Sequence, residues 1–272
     1  MVGNIMHTLF GTKHIILIIV SFVLIGVLYM LSRRFDLAKI CKILFGVGIC
    51  SETVKVFYYI ITNENKTGGY GQTFGGYLPK TDLPFHLCSI QILFIAILVF
   101  SQNERLKRFI MSFMIPSCLF GGIAAILIAT DSSRNGSPII TAQYFLYHVA
   151  ITVFAIYLLT SREFKVTIKD YVNSLKFVGM IMFFALYINS ALYDGVANVN
   201  FMYVVSPPQS GLPFLNENHG WLVYIVHYAF TVLFAITLCY VKPIIDAIKA
   251  KTGARLEPAE ENEPEEETEP AL

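Results

Sequence analysis

The stretch LPFHLCSIQILFIAILVFS, residues 83–101, holds no Asp, Glu, Lys or Arg. A helix rising ~1.5 Å per residue needs roughly 20 apolar residues to cross ~30 Å of hydrocarbon, so a run of this kind reads as a membrane span. The same holds for HIILIIVSFVLIGVLYMLS, residues 14–32. Working outward, apolar stretches between polar breaks predict seven helices, at 14–32, 37–62, 84–101, 108–130, 139–160, 172–193 and 220–241. Of 272 residues, 55% are hydrophobic and 14% charged, and the mean hydropathy is +0.60. Both values lie far from those of soluble domains and exclude a water-soluble enzyme. The fold class is therefore all-α, a polytopic membrane protein built as a seven-transmembrane-helix bundle.

Charge divides the chain into two parts. Residues 1–255 form the membrane domain, and residues 256–272 form a tail that contains eight Glu but no Lys, Arg or aromatic residue. Broken by Pro258, Pro264 and Pro270, this tail buries too little apolar surface to offset its ordering entropy and is expected to be disordered. Within the membrane domain, fifteen Lys and Arg follow spans one, three, five and seven, beginning with Arg33 and Arg34. The opposite side holds only Lys13, Lys66, Lys80 and Arg134. The positive-inside rule then places the N-terminus outside and the C-terminus in the cytoplasm, as in a multi-pass protein of the cell membrane. No small-x-small cleavage pattern follows the first run, so it reads as an uncleaved span. Five cysteines without a C-x-x-C pair do not make a disulfide framework. The outer connections, 63–83 with its Gly and Tyr residues and 194–219 with Pro207, Pro208 and Pro213, suit an amphipathic cap at the interface. No internal repeat of the transporter type is evident.

Polar side chains within the spans are costly and mark functional positions by default. Counted at ~1.5 Å per residue from the outer ends, Glu52 lies about 15 Å deep, Lys55, Gln91 and His227 about 10, His148 about 13, and Cys88 and Asn189 about 6. A polar layer in the outer half implies a cavity that opens outward. Thr141, Tyr144, His148 and Thr152 form one helical stripe, and Tyr224, His227, Tyr228 and Thr231 another. Glu52 and Lys55, three apart, can pair on one face. Each signal also has a structural reading: a registry-fixing ion pair, hydrogen-bonded histidines, an inert buried Cys88 and Tyr residues that only pack.

The set holds a sulfur nucleophile, Cys88, possible bases in His86 and His148, and amide donors for an oxyanion in Gln91 and Asn189. On an ideal helix positions 86 and 88 point about 200° apart, which favours His148 as the base. Pro84 leaves open a non-helical start that would change this angle. Leu-Pro-Phe-His-Leu-Cys at 83–88, Glu52 with Lys55, Tyr147-His148 with Ile156-Tyr157-Leu158-Leu159, and Asn200-Phe201-Met202-Tyr203 together resemble the YwaF-like family of bacterial membrane proteins. That family is similar to an animal membrane acyltransferase that remodels ether phospholipids through a Cys and a His. The resemblance implies lipid acyl transfer or hydrolysis and assigns the catalytic His to His148. In the animal pattern the catalytic Cys follows the Pro directly, a position held here by Phe85, with Cys88 three residues on.

The leading expectation is thus an outward-facing acyltransferase or hydrolase acting on a phospholipid or lysophospholipid. Cys88 is its nucleophile and His148 its base, with His86 beside them in the catalytic group. Glu52, Lys55, Gln91, Tyr144, Asn189, Tyr224 and His227 line the substrate site. No cofactor is implied. A second reading gathers His86, His148, His227 and Glu52 around Zn²⁺ for metal-assisted hydrolysis of a lipid amide. It resembles ceramidase-type seven-helix hydrolases in topology only, because no H-x-x-x-H occurs near the C-terminus. A third is a transporter or receptor that binds a polar ligand in the outer cavity. No nucleic-acid surface is present.

Overall fold

The computed structural model describes residues 10–62, 78, 80–193, 199–208, 212, 215 and 220–253. The Gly- and Tyr-rich segment from Gly68 to Tyr77, most of the 194–219 connection and the acidic tail lie outside the described residues, and with them the expectations placed there. Among the described residues the fold is all-helical, with no strand. The helices are α1 (Thr12–Ser32), α2 (Leu37–Thr62), α3 (Leu87–Phe100), α4 (Glu104–Leu127), a short α5 (Asp131–Asn135), α6 (Pro138–Thr160), α7 (Ile168–Leu192), α8 (Trp221–Cys239) and α9 (Val241–Gly253). Single 3₁₀ turns lie at Lys80–Asp82 and Phe201–Tyr203.

Five of these, α1, α4, α6, α7 and α8, are long and apolar enough to cross a membrane. The two remaining expected spans differ for separate reasons. Helix α2 has the length but carries Lys39, Lys42, Glu52 and Lys55. Helix α3 has only 14 residues, about 21 Å at ~1.5 Å each. It starts at Leu87 rather than 84 because Pro84 lacks an amide hydrogen and biases its predecessor away from helix. His86 is accordingly extended, with φ −68° and ψ 153°. The entry to this segment is thus non-helical, and the ideal-helix angle between positions 86 and 88 does not apply.

Local capping explains the other boundaries. Asn103 accepts from the Leu106 amide at 3.1 Å and starts α4 four residues earlier than hydropathy suggested. The Ser137 side chain accepts from the Ile140 amide at 3.3 Å, and Pro138 occupies the first turn of α6, where no amide hydrogen is needed. At α7, Thr167 and Asp170 form a reciprocal capping box. Asp170, fully buried, also takes both arms of Arg108 from α4, with Nε 2.8 Å from Oδ1 and Nη2 2.6 Å from Oδ2. Nearby, Glu163 accepts from the Leu37 amide at the start of α2 and from the Tyr157 hydroxyl, both at 3.1 Å. A carboxylate there suits the positive end of the helix.

Helix α6 is the central element, packing on α1, α2 and α4, while α4 also meets α3, α7 and α8. The core between them includes Ile95, Met114, Ile115, Phe154 and Leu158, and the rings of Phe113 and Phe177 stack at 4.5 Å. Leu222, Phe230 and Phe234 of α8 are exposed, as lipid-facing side chains should be. Helices α4 and α6 approach closely at Gly122, where an added Cβ would collide with Thr152 Oγ1 and come within 3.1 Å of the His148 carbonyl. A small residue is what lets two membrane helices touch by their backbones. Gly122→Ala is therefore expected to destabilise the protein by about 1–3 kcal/mol, the usual range for overpacking. Thr152→Ala should restore part of that loss in thermal unfolding of the double variant. Equal melting of Gly122→Ala and the parent would contradict the close contact.

Candidate functional site

A cavity of about 730 Å³ lies among α2, α3, α4, α6, α8 and the Phe201–Tyr203 turn. Its wall includes Cys88, His86, His148, Glu52, Lys55 and Tyr144. Six of the ten side chains singled out from the sequence therefore meet around one space.

His148 is 3% exposed, and its Nδ1 lies 2.7 Å from the Tyr144 carbonyl. A carbonyl only accepts, so Nδ1 carries the proton, and in a neutral imidazole Nε2 keeps its lone pair. The helix itself thus fixes the tautomer. Nε2 has no hydrogen-bond partner among the described residues, and the side chain lines the cavity. The Tyr144 ring packs against the imidazole at 4.3 Å, and its hydroxyl donates to the Ala125 carbonyl at 3.0 Å. Tyr144 holds the ring from one side while its own proton is engaged elsewhere.

Cys88 is the second residue of α3, and Leu87, Cys88 and Ser89 all line the cavity. His86 provides no side-chain cap to that turn. The thiol therefore stands in the first turn of the helix, not in its interior. This placement was hidden in the sequence, where Cys88 appeared to be inside a helix, and Pro84 was the only sign of it. The Tyr147 hydroxyl donates to the Cys88 carbonyl at 2.9 Å, tying α6 to the first turn of α3 one residue away from His148. No hydrogen bond joins the thiol to the imidazole among the described residues; the two groups face one cavity from α3 and α6.

On another part of the wall, Lys55 Nζ lies 2.8 Å from Glu52 Oε2 and donates to the Asp82 carbonyl at 3.1 Å. The Tyr59 hydroxyl donates to the Asp82 carboxylate. Asp82 and Tyr59 were not foreseen as members of this network. The His86 ring stands between Phe201 at 5.2 Å and Tyr203 at 5.5 Å. Phe85 packs on Phe184 and Phe201.

The other four expected residues lie elsewhere. Gln91 is fully buried, donates to Ser117 Oγ at 2.9 Å and leaves its Oε1 without a partner. Asn189 clamps the turn: Oδ1 accepts from the Phe201 amide at 2.8 Å, and Nδ2 donates to the Phe201 and Ala185 carbonyls at 3.0 and 2.7 Å. Its amide is fully engaged in holding backbone. Tyr224 donates to the Tyr203 carbonyl, and Tyr228 donates to that of Met202 at 2.7 Å. These bonds turn Tyr224 and Tyr228 of α8 inward, while His227 is exposed and does not line the cavity.

The clamped turn escaped sequence reasoning altogether. Met202 and Tyr203 sit at φ 58° and 55°, a region that costs side-chain-bearing residues roughly 1–3 kcal/mol each and persists only where surroundings enforce it. Among the described residues no group of three or more His, Cys, Asp or Glu stands close enough to hold a metal ion. The quartet of His86, His148, His227 and Glu52 is not assembled: His227 is exposed and outside the cavity wall, and the other three do not form such a group among themselves. Compared with known proteins, residues 9–240 match the model of the TMEM164 family. No curated protein and no solved structure matches.

Proposed function

The chain belongs to the TMEM164 family of membrane proteins, and on that premise we propose that its cavity transfers or hydrolyses an acyl chain of a membrane phospholipid or lysophospholipid. The protein is a bacterial member of the YwaF-like type, set in the cell membrane with seven helices crossing, α3 together with the extended residues that precede it. Its N-terminus lies outside and its C-terminus in the cytoplasm, and the cavity opens to the outer leaflet. The topology is supported by the fifteen-to-four bias of basic residues, and the chemistry by the fixed tautomer of His148.

With its Nδ1 held by the Tyr144 carbonyl and its side chain in the cavity wall, His148 takes the Cys88 proton on Nε2 as the sulfur attacks the lipid ester carbonyl. The imidazolium then gives that proton to the departing alcohol as the carbon–oxygen bond breaks, leaving a thioester on Cys88. A lysolipid hydroxyl, or water, enters next. His148 accepts its proton, the thioester carbonyl takes the new oxygen, and the thiol is regenerated. The first-turn amides of α3 are the nearest preorganised donors for the developing oxyanion. Lipid profiling of cells that carry the parent chain or His148→Gln tests the reading. The variant is expected to abolish the difference in acyl-chain pattern between parent and deletion strains. Parent and His148→Gln cells with identical lipid profiles, both different from the deletion, would refute it.

A further inference from the structure

At the opposite end of α4 from the Cys88 wall, a second pocket of about 270 Å³ is lined by Arg105, Arg108, Phe109, Lys169 and Asn173. We propose that it binds the phosphate headgroup of an anionic phospholipid in the leaflet facing the basic ends of the helices. Of its three cations only Arg108 is neutralised locally, by Asp170. Asp170 is the nearest carboxylate, and its oxygens are taken up by Arg108 and by the Thr167 amide and hydroxyl. Glu104 pairs with Lys107 at 2.8 Å. Arg105 and Lys169 remain as two exposed cations with no carboxylate partner among the described residues. The bonds of Arg108 use Nε and Nη2, so Nη1 remains available on a guanidinium already held rigid.

The donor set suits phosphate: two mobile point charges, one edge of a fixed planar fork and the Asn173 amide. Bulk phosphate would need no more than that, but the pocket also has an apolar wall, Phe109, which packs on the buried core. Phe109 forms part of its wall and lies 5.1 Å from Phe177, which in turn stacks on Phe113. Lys176 is exposed on α7, one turn beyond Asn173, where its stem can lie along lipid while the ammonium reaches the interface. Charged groups at the rim with aromatic rings below match a molecule with an anionic head and hydrocarbon chains. Basic pockets between membrane helices on the positively charged side are where such heads bind.

The pocket shares no residue with the Cys88 and His148 wall, so its test does not involve lipid turnover. Native mass spectrometry of the full chain released from detergent would compare bound phosphatidylglycerol with phosphatidylcholine of the same chains. The parent is expected to retain phosphatidylglycerol at least about tenfold better. Arg105→Gln/Lys169→Gln should erase that preference, and Lys242→Gln/Lys249→Gln, with the same loss of charge elsewhere, should keep it. Millimolar inorganic phosphate should not displace the lipid. Equal retention of the two lipids by the parent would overturn the proposal without recourse to any variant. So would a preference that survives the Arg105/Lys169 change, or full displacement by inorganic phosphate, which would reassign the pocket to the free ion.

Discussion

Cys88→Ala and His148→Ala should each reduce acyl turnover by about 10³-fold or more, and the double variant should fall little further, because members of one catalytic unit are not additive. The expectation rests on two features of the site. Cys88 stands in the uncapped first turn of α3, and His148 is locked by the Tyr144 carbonyl into the tautomer that accepts a proton on the cavity side. Removing the thiol leaves no atom to carry the acyl group. Removing the imidazole leaves an un-ionised thiol and a leaving group without a proton source. Neither change should unfold the protein, since the Tyr147 clip uses the backbone carbonyl of Cys88 and is retained in Cys88→Ala. The measurement is transfer of a labelled acyl chain in reconstituted vesicles, with melting temperature as the folding control. Undiminished transfer by Cys88→Ala would remove the thiol from the mechanism, and losses that multiply in the double variant would show that the two groups act separately.

The second large effect is on stability. Asp170→Ala is expected to cost about 3 kcal/mol, at the lower end of the range for breaking a buried ion pair because Arg108 is partly exposed. The carboxylate is 0% exposed and receives four hydrogen bonds, from two atoms of Arg108 and from the Thr167 amide and hydroxyl. Its loss uncaps α7 and strands a guanidinium against Phe164, whose ring lies 5.1 Å away. Asp170→Asn should lose less, because it still accepts at the cap. Thermal unfolding in one detergent would rank them parent, then Asn, then Ala. An alanine variant that melts with the parent would mean that the pair contributes no more than a surface salt bridge does.

What was legible beforehand was whatever depends on short-range pattern. Each of the seven hydropathy ranges overlies a helix, five of them long and apolar enough to span a membrane, and the three-residue spacing of Glu52 and Lys55 announced a pair that forms at 2.8 Å. The exceptions had local causes, Pro84 shortening α3 and Asn103 lengthening α4. Contacts between distant residues were not legible. Arg108 and Asp170 are 62 positions apart, and Arg108 had been counted only as a topogenic charge. His227 shows the limit of a helical stripe: spacing says which residues share a face but not which way the face turns. Here two Tyr hydroxyls bonded to the 202–203 backbone settle that rotation. Asn189 had the right chemistry for an oxyanion donor, yet an unpaired backbone amide at Phe201 claimed it first.

The left-handed pair Met202 and Tyr203 bears on biosynthesis. Both residues form part of the cavity wall, and their conformation is held by Asn189 from α7 and by Tyr224 and Tyr228 from α8. Among the described residues, α8 follows α1, α4, α6 and α7 out of the ribosome. A nascent chain that has inserted every earlier helix still lacks two of the three clamps, and the turn has no reason to remain in a costly shape. The turn is therefore held in this shape only once α8 has joined the bundle, and a chain arrested before Trp221 leaves Cys88 and His148 in a cavity that lacks one wall.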